Sequence, residues 1–476
     1  MKKAKDKYKK YAILSVFIVV IGLLLSASLI FSEGIDIVAG VKFIRSETVY
    51  IVIALAILLP VMLLRMFFIL IRKKKIRVKK IELVPTIPEI TIPVAPLEQK
   101  EEVKEEKEEE EEEKEEREPR FFMLNRTDEE MRLNPPKEYQ SDITLGELCV
   151  QFRNFAANKL KLYYDESDIR QFISGLAVTH IVVMQGMSGT GKTSLAYAFG
   201  EFLQNKSTIV PIQPMWKERT DLIGYYNEFT KKFNETALLQ KMYEANYNDE
   251  MYVTVLDEMN IARVEYYFAE FLSLLEIPNP EGRYLDVVSD KWETDPVLLK
   301  DGRIKLPPNM WFIGTANNDD STFAISDKVY DRAMVMNLDK KSKPFEAPKT
   351  EPIKLSAKHW EKMVQNAQSE FEITERNLRR IARLDGYMIE HFHLTFGNRI
   401  MKQIRCYVPV VLACGGTELE AIDDILAKKV LRKLEAQNPI YVRNSAEGLR
   451  NYLDELFGTD KMPKCKEYLF HLERTA

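Results

Sequence analysis

The sequence predicts an α/β protein built on an open parallel β-sheet and followed by a largely helical C-terminal region. Four short apolar runs have the length and composition of buried strands, at residues 180–184, 251–256, 310–315 and 333–338. A glycine-rich loop follows the first run and polar residues follow the next two, a pattern typical of the ligand-binding edge of such a sheet. From residue 355 onward, apolar residues recur at helical spacing. A chain of 476 residues is long enough for about two or three folded units.

The glycine-rich loop fits the phosphate-binding pattern G-x-x-x-x-G-K-[ST]. A predicted strand precedes it and a helical pattern follows it, which is the context that the pattern requires. In such a loop the backbone N–H groups and the helix N-terminus hold phosphates, the lysine reaches the terminal phosphates, and the threonine hydroxyl ligates Mg²⁺. The predicted nucleotide-binding residues are Gly186, Ser188, Gly189, Thr190, Gly191, Lys192, Thr193 and Ser194.

An acidic pair, Asp257 and Glu258, ends the second predicted strand. Because the carboxyl ends of parallel strands meet at one edge of a sheet, the pair is expected beside the phosphate loop. We predict that Asp257 holds Mg²⁺, directly or through water, together with Thr193, and that Glu258 orients or deprotonates the attacking water. The alternative is an ordinary acidic turn at a strand end.

The first 75 residues predict a membrane hairpin. Two apolar runs, residues 11–31 and 49–71, are each long enough to cross a bilayer. Both outer flanks are strongly basic, which by the positive-inside rule predicts an inner-membrane protein with two spans and both termini in the cytoplasm. A cleaved signal peptide is the alternative for the first run, but that run continues beyond its small residues at 26–28.

Residues 76–120 predict a linker, proline-containing at first and then almost entirely glutamate with interspersed basic residues. Such a segment cannot bury a core, and it favours an extended or solvated spacer over an acidic recruitment tail. Its negative charge would repel nucleic acid, so no direct nucleic-acid binding is predicted.

Further motifs carry a specific resemblance. Residues 257–268 read DEMNIARVEYYF and are followed by FLSLLE, residues 214–226 read PMWKERTDLIGYY, and residues 396–399 read FGNR. In this order they resemble the McrB-like branch of the AAA+ ATPases, which is similar to the dynein-related and MoxR-type ATPases. The resemblance covers about residues 143–410 and implies an AAA+ nucleotide-binding domain with a helical lid. The predicted segments are a transmembrane hairpin (1–75), a linker (76–120), the nucleotide-binding domain (121–345), and the lid with the C-terminal region (346–476).

The resemblance also implies residue roles. Asn317 corresponds to sensor 1, Arg332 to an arginine finger that reaches a neighbouring subunit's nucleotide, and Arg399 to sensor 2. A guanidinium stabilises charge on the transferred phosphoryl group, and a finger supplied in trans implies a homo-oligomeric ring of about six subunits. A structural ion pair is the alternative for both arginines.

We therefore expect a membrane-anchored AAA+ ATPase that uses ATP and Mg²⁺ to remodel or drive an unidentified protein partner. A bacterial defence system with a separate nuclease or effector subunit is one such setting. One alternative is a nucleotide-dependent scaffold or switch with incidental turnover, and another is a GTP-using McrB-like motor. Residues 314–319 read GTANND and not the MNTAD run of the GTP-using relatives, which favours ATP.

Two peripheral features carry open interpretations. Residues 284–288 and 303–306 have β-like composition and predict either a hairpin near a central pore or a passive surface ribbon. For Tyr225 and Tyr226 we expect packing on a helix, the alternative being pore-facing aromatic side chains.

Overall fold

The computed structural model of the protein describes residues 118–135, 142–317 and 322–475. The predicted membrane hairpin, and the predicted linker up to residue 117, lie outside these ranges. Within them, no helix combines the length and the apolar composition that crossing a bilayer requires.

Five parallel strands form the central sheet: the four apolar runs supply four of them, and the fifth was not predicted. The strands of the described ranges are β1 (Ile181–Gln185), β2 (Thr208–Pro211), β3 (Gly224–Asn227), β4 (Lys232–Glu235), β5 (Tyr252–Asp257), β6 (Tyr284–Asp286), β7 (Arg303–Lys305), β8 (Met310–Ala316) and β9 (Met334–Asn337). The order in the sheet is β2-β5-β8-β1-β9. In its register, Gln185 of β1 lies opposite both Ala316 of β8 and Asn337 of β9. The residues that follow β1, β5, β8 and β9 therefore meet at one edge.

Helices cover both faces of the sheet. They are α1 (Met123–Leu133), α2 (Leu145–Leu160), α3 (Glu166–Val178), α4 (Lys192–Phe202), α5 (Thr220–Ile223), α6 (Ala237–Ala245), α7 (Val264–Tyr267), α8 (Ala269–Leu275), α9 (Asp327–Tyr330), α10 (Ala357–Glu370), α11 (Glu375–Phe392), α12 (Gly397–Ala413), α13 (Glu418–Lys429), α14 (Pro439–Phe457) and α15 (Pro463–Thr475). Side chains alternate along each strand. Val182 and Met184 pack with α2–α4 and the C-terminal helices, whereas Ile181 and Val183 pack with α6–α8.

Two helices, α2 and α3, precede the sheet, with a break between them. Helix α2 begins with a capping box between Thr144 and Glu147 and ends at Lys161, whose φ of 57° breaks the helix. The break carries Tyr164 into the interior, where its hydroxyl donates to the carbonyl of Gly191 at 3.0 Å. The segment between α2 and α3 thus supports the phosphate loop.

Two antiparallel hairpins project from the domain. Strands β6 and β7 pair as the predicted hairpin, over a shorter span than expected. Strands β3 and β4 form a second hairpin that contains Tyr225 and Tyr226, so the expected packing on a helix is wrong for Tyr225, while Tyr226 packs against the core from a strand. Gly224 explains the change: its φ of 98° ends α5, and an added Cβ would lie 1.9 Å from the carbonyl oxygen of Asn234. Tyr225 is half exposed, and Tyr226 packs edge-to-face on Trp292.

A buried arginine, Arg120, connects the start of the described chain to both hairpins through hydrogen bonds. Arg120 is 2% exposed; its guanidinium donates to the carboxylates of Asp290 and Asp295 between β6 and β7. Its carbonyl accepts from the N–H of Phe233 in β4. The carboxylate of Glu235 in turn accepts from three backbone N–H groups at the start of α1. The segment that emerges from the linker is therefore held by the hairpins.

Candidate functional site

The phosphate loop joins β1 to α4 with three glycines in left-handed conformations. Gly186, Gly189 and Gly191 have φ values of 140°, 76° and 100°. A Cβ on Gly186 would lie 2.3 Å from the carbonyl oxygen of Leu338, so only glycine fits there. A Cβ on Gly189 would meet nothing within 4 Å, which shows that the loop is open on that side.

Helix α4 directs its N-terminus into this loop. Gly191 is its N-cap, and no side chain caps its first N–H groups. These groups and the helix dipole favour an anion at this end. Lys192 is 6% exposed, and its ammonium donates to the carbonyls of Gly186 and Met187 at 2.9 and 2.8 Å. The positive charge therefore lies inside the loop, where terminal phosphates would bind.

A threonine and an aspartate at the loop fit a magnesium ion. The hydroxyl of Thr193 donates to Oδ1 of Asp257 at 2.7 Å. Mg²⁺ prefers oxygen ligands and keeps several waters and phosphate oxygens in its shell, so one hydroxyl and one carboxylate are a sufficient protein contribution. The donor set thus fits the ion that the loop implies.

Thr315, in the penultimate position of β8, connects both acidic residues. It is 2% exposed, its hydroxyl donates to Oδ1 of Asp257 at 2.8 Å, and it accepts from the N–H of Glu258 at 2.9 Å. Glu258 has a φ of 52°, a conformation that is uncommon for a residue with a side chain and is found at functional sites. The sequence analysis missed Thr315 because it reads as an ordinary strand residue. The available signal was its position near the end of the strand beside the acidic pair.

Asn317 follows β8 and is held by a second asparagine. Its N–H donates to Oδ1 of Asn260 at 3.3 Å, and Nδ2 of Asn260 donates to its carbonyl at 2.9 Å. Asn260 is 5% exposed and was also missed, although it lies two residues after Glu258. The structure therefore brings the loop, Thr193, Asp257, Glu258 and Asn317 to one edge of the sheet.

Arg332 and Arg399 lie elsewhere. Arg332 precedes β9, and in the sheet register Met334 lies opposite Val182 while Asn337 lies opposite Gln185. Arg332 itself belongs to the turn between α9 and β9. In the described part of the chain, the hydrogen bonds of the two arginines go to Glu276 and the carbonyl of Lys328 and not to the phosphate loop.

Both arginines instead pair with one carboxylate. NH2 of Arg332 donates to Oε2 of Glu276 at 2.7 Å, and NH2 of Arg399 donates to Oε1 of the same residue. The ion-pair alternative left open for these arginines describes their contacts within the chain. The assignment of Arg399 to sensor 2 stays a prediction.

A polar cavity of about 970 Å³ adjoins the same sheet edge. Gln185, Asn317 and Asn337 line one side, and Lys428 of α13 and Lys464 of α15 line the other. The region after residue 415, to which the sequence assigned no motif, therefore contributes a wall next to the nucleotide site.

Comparisons with known proteins give one family match and one similar solved structure. Residues 181–333 match the family model of the AAA domain of the dynein-related subfamily. A solved "putative ATPase" from Cytophaga hutchinsonii is 13% identical, with 64% of this chain and 96% of that chain covered and a TM-score of 0.43. A search of curated proteins finds no match.

The matched range begins at β1 and ends immediately before β9, so it contains the phosphate loop, both acidic residues and Arg332. These residues are similar to the AAA domain of the dynein-related subfamily, and the chain is a nucleoside triphosphate hydrolase. Domains of this kind bind a nucleotide, usually with Mg²⁺, and commonly assemble into oligomeric rings.

Proposed function

We propose that this protein is a membrane-anchored, Mg²⁺-dependent ATPase of the McrB-like branch, and that hydrolysis drives remodelling of a protein partner. The observation that carries the proposal is the hydrogen-bonded set of Thr193, Asp257, Thr315 and Glu258 at the mouth of the phosphate loop. This set aligns an ion-binding pair and a candidate base within one rigid sheet edge.

In this proposal, each residue of the candidate site has its own role. The loop glycines expose backbone N–H groups to the phosphates, and Lys192 offsets the charge of the terminal phosphates. Thr193 and Asp257 hold Mg²⁺, which would neutralise charge on the transferred phosphoryl group. Glu258 orients the attacking water and accepts its proton. Asn317 is held at the γ-phosphate side of the loop.

Arg332 completes the site from a neighbouring subunit. Its contacts within the chain support this role, because its guanidinium donates to Glu276 and to the carbonyl of Lys328 and not to the loop of its own subunit. A ring of about six subunits then places each nucleotide between two copies. We place this ring at the cytoplasmic face of the inner membrane, on the strength of the basic flanks around residues 11–31 and 49–71.

The partner is a protein, and a nuclease or effector subunit of a bacterial defence system fits the McrB-like resemblance. The nucleotide is ATP, with GTP the alternative that competition between the two nucleotides decides. A switch with incidental turnover is a second candidate, favoured by one observation: both arginines form ion pairs with a carboxylate of their own chain.

The test is hydrolysis by Glu258→Gln in the full-length protein. We expect this variant to bind ATP, to lose hydrolysis, and to accumulate as assembled rings, because the loop is intact and only the base is neutralised. Lys192→Ala should lose nucleotide binding. Glu361→Gln, a carboxylate-to-amide change on the exposed side of α10, is the matched control and should behave as wild type. Normal turnover by Glu258→Gln would contradict the assigned base, and binding without turnover in the wild type would favour the switch.

A further inference from the structure

Glu276 joins two arginines that are distant in sequence. It is the C-cap of α8, Arg332 lies between α9 and β9, and Arg399 lies in the first turn of α12. Each carboxylate oxygen accepts from one guanidinium, so the three side chains form a row. Their side chains are 31%, 24% and 51% exposed, in that order, so the row lies at the surface without being fully solvated.

The row leaves hydrogen-bond donors unused. NH2 of Arg332 donates to the carboxylate of Glu276, and NH1 donates to the carbonyl of Lys328. Its Nε is shielded from solvent and has no hydrogen-bond partner in the described part of the chain. A guanidinium offers five donors, so contacts within one subunit do not satisfy this group. Each terminal nitrogen of Arg332 carries a second N–H beyond these contacts, and the side chain is 24% exposed, so a further acceptor can reach the group from outside the chain.

The carboxylate of Glu276 also reduces the electrostatic repulsion between the two arginines. Two guanidinium groups that contact the same carboxylate repel each other, and each long side chain loses rotamer freedom when it is ordered. Glu276 offsets the repulsion and orders both side chains before any ligand arrives. The cluster keeps a net charge of about +1 because Arg and Glu are ionised at neutral pH. Such a paired, pre-ordered guanidinium surface is suited to a phosphate group.

We propose that Glu276 is a positioning residue that presents Arg332 and Arg399 together to the triphosphate bound by a second copy of this chain. The inference rests on the proposed function, in which the site is shared between subunits. It adds that the carboxylate remains with both arginines in the assembled state, and that hydrolysis depends on this carboxylate although it touches no reacting atom.

The test is Glu276→Gln in the full-length protein. The amide keeps the size of the side chain but removes its charge, so the arginines lose their alignment. We expect kcat for ATP hydrolysis to fall about tenfold with KM nearly unchanged, because the phosphate loop that sets binding is untouched. Glu276→Asp, which keeps the charge on a shorter side chain, should recover part of the loss. Glu270→Gln is the matched control: it lies on the same helix, pairs with Arg219 at 2.8 Å, and should leave kcat unchanged.

Two further measurements separate positioning from a structural role. In the Arg332→Ala background, Glu276→Gln should cause a smaller loss than it causes in the wild type, because only Arg399 is left for the carboxylate to position. Mixing Glu276→Gln subunits with Lys192→Ala subunits should restore hydrolysis, since the second variant supplies an intact arginine pair to an intact loop. Circular dichroism and thermal unfolding should match the wild type.

These experiments distinguish a failure of the positioning role of Glu276 from a failure of the shared site. If Glu276→Gln and Glu276→Asp hydrolyse ATP at the wild-type rate or faster while Arg332→Ala is inactive, the positioning role is overturned and the shared site stands. An additive loss in the double variant, or no recovery on mixing, also overturns the positioning role. If Arg332→Ala itself keeps full activity, the proposed function fails first.

Discussion

Replacing Thr315 by valine removes one hydroxyl from between the two acidic residues of the site. That hydroxyl donates to Asp257 at 2.8 Å and accepts from the N–H of Glu258 at 2.9 Å. Valine has nearly the same shape and is favoured in strands, so the change is confined to these two hydrogen bonds.

The size of the effect follows from those two bonds. A hydrogen bond to a charged group contributes about 1.5–3 kcal/mol, and a buried N–H without a partner costs about 1–3 kcal/mol. The added methyl group recovers about 0.8 kcal/mol. We therefore expect the free energy of unfolding to fall by about 2–5 kcal/mol. If about 1.4–2.7 kcal/mol of this alignment is needed in the transition state, kcat falls about 10- to 100-fold.

The assay is steady-state ATP hydrolysis by the full-length protein with Mg²⁺, alongside urea unfolding. KM should change little, because Lys192 and the loop glycines are untouched. Thr315→Ser keeps the hydroxyl and is the matched control, expected to stay close to wild-type kcat. Wild-type kcat in Thr315→Val would refute the claim that this threonine aligns the acidic pair.

Three other substitutions test the fold around the site. Gly186→Ala should abolish nucleotide binding in a filter or fluorescence assay, because its Cβ would lie 2.3 Å from the carbonyl oxygen of Leu338 at a φ of 140°; retained binding would contradict the loop geometry. Arg120→Met should lower the free energy of unfolding by about 3–5 kcal/mol in urea titration, because it leaves the buried carboxylate of Asp295 without its cation, and an unchanged value would show that the clamp contributes nothing. Burial lowers the pKa of His180 from 6.5 to about 4. The unfolded chain therefore binds more protons than the folded chain between pH 6.5 and 4, so the free energy of unfolding falls as the pH drops through that window. His180→Phe should remove up to about 3 kcal/mol of this pH dependence. A pH profile of stability identical to that of the wild type would refute the assignment.

The parts of the site that the sequence predicts are those encoded in contiguous residues. The phosphate loop is a short pattern between a strand and a helix, and Asp257 and Glu258 end an apolar run whose role as a strand is clear from composition. Parallel strands bring such ends together by geometry, so the juxtaposition of Thr193 with Asp257 follows from the fold class.

The parts that the sequence did not predict depend on contacts between distant segments. Thr315 matters because β8 lies beside β5, and no local pattern distinguishes it from a threonine chosen for strand propensity. The pairing of Arg332 and Arg399 through Glu276 likewise depends on how α8 and α12 pack. The error at Tyr225 has a local cause. Helix α5 has only one turn, and Gly224, with its positive φ, ends the helix and begins strand β3.

A catalytic site shared between subunits can be tested most directly by mixing two inactive variants of the full-length protein. Lys192→Ala lacks a working loop but carries Arg332, and Arg332→Ala lacks the arginine but carries a working loop. Each should hydrolyse almost no ATP alone. If the arginine acts on a neighbouring subunit, the mixture should hydrolyse ATP at a rate well above the sum of the two separate preparations. A mixture no more active than that sum would contradict a site shared between subunits.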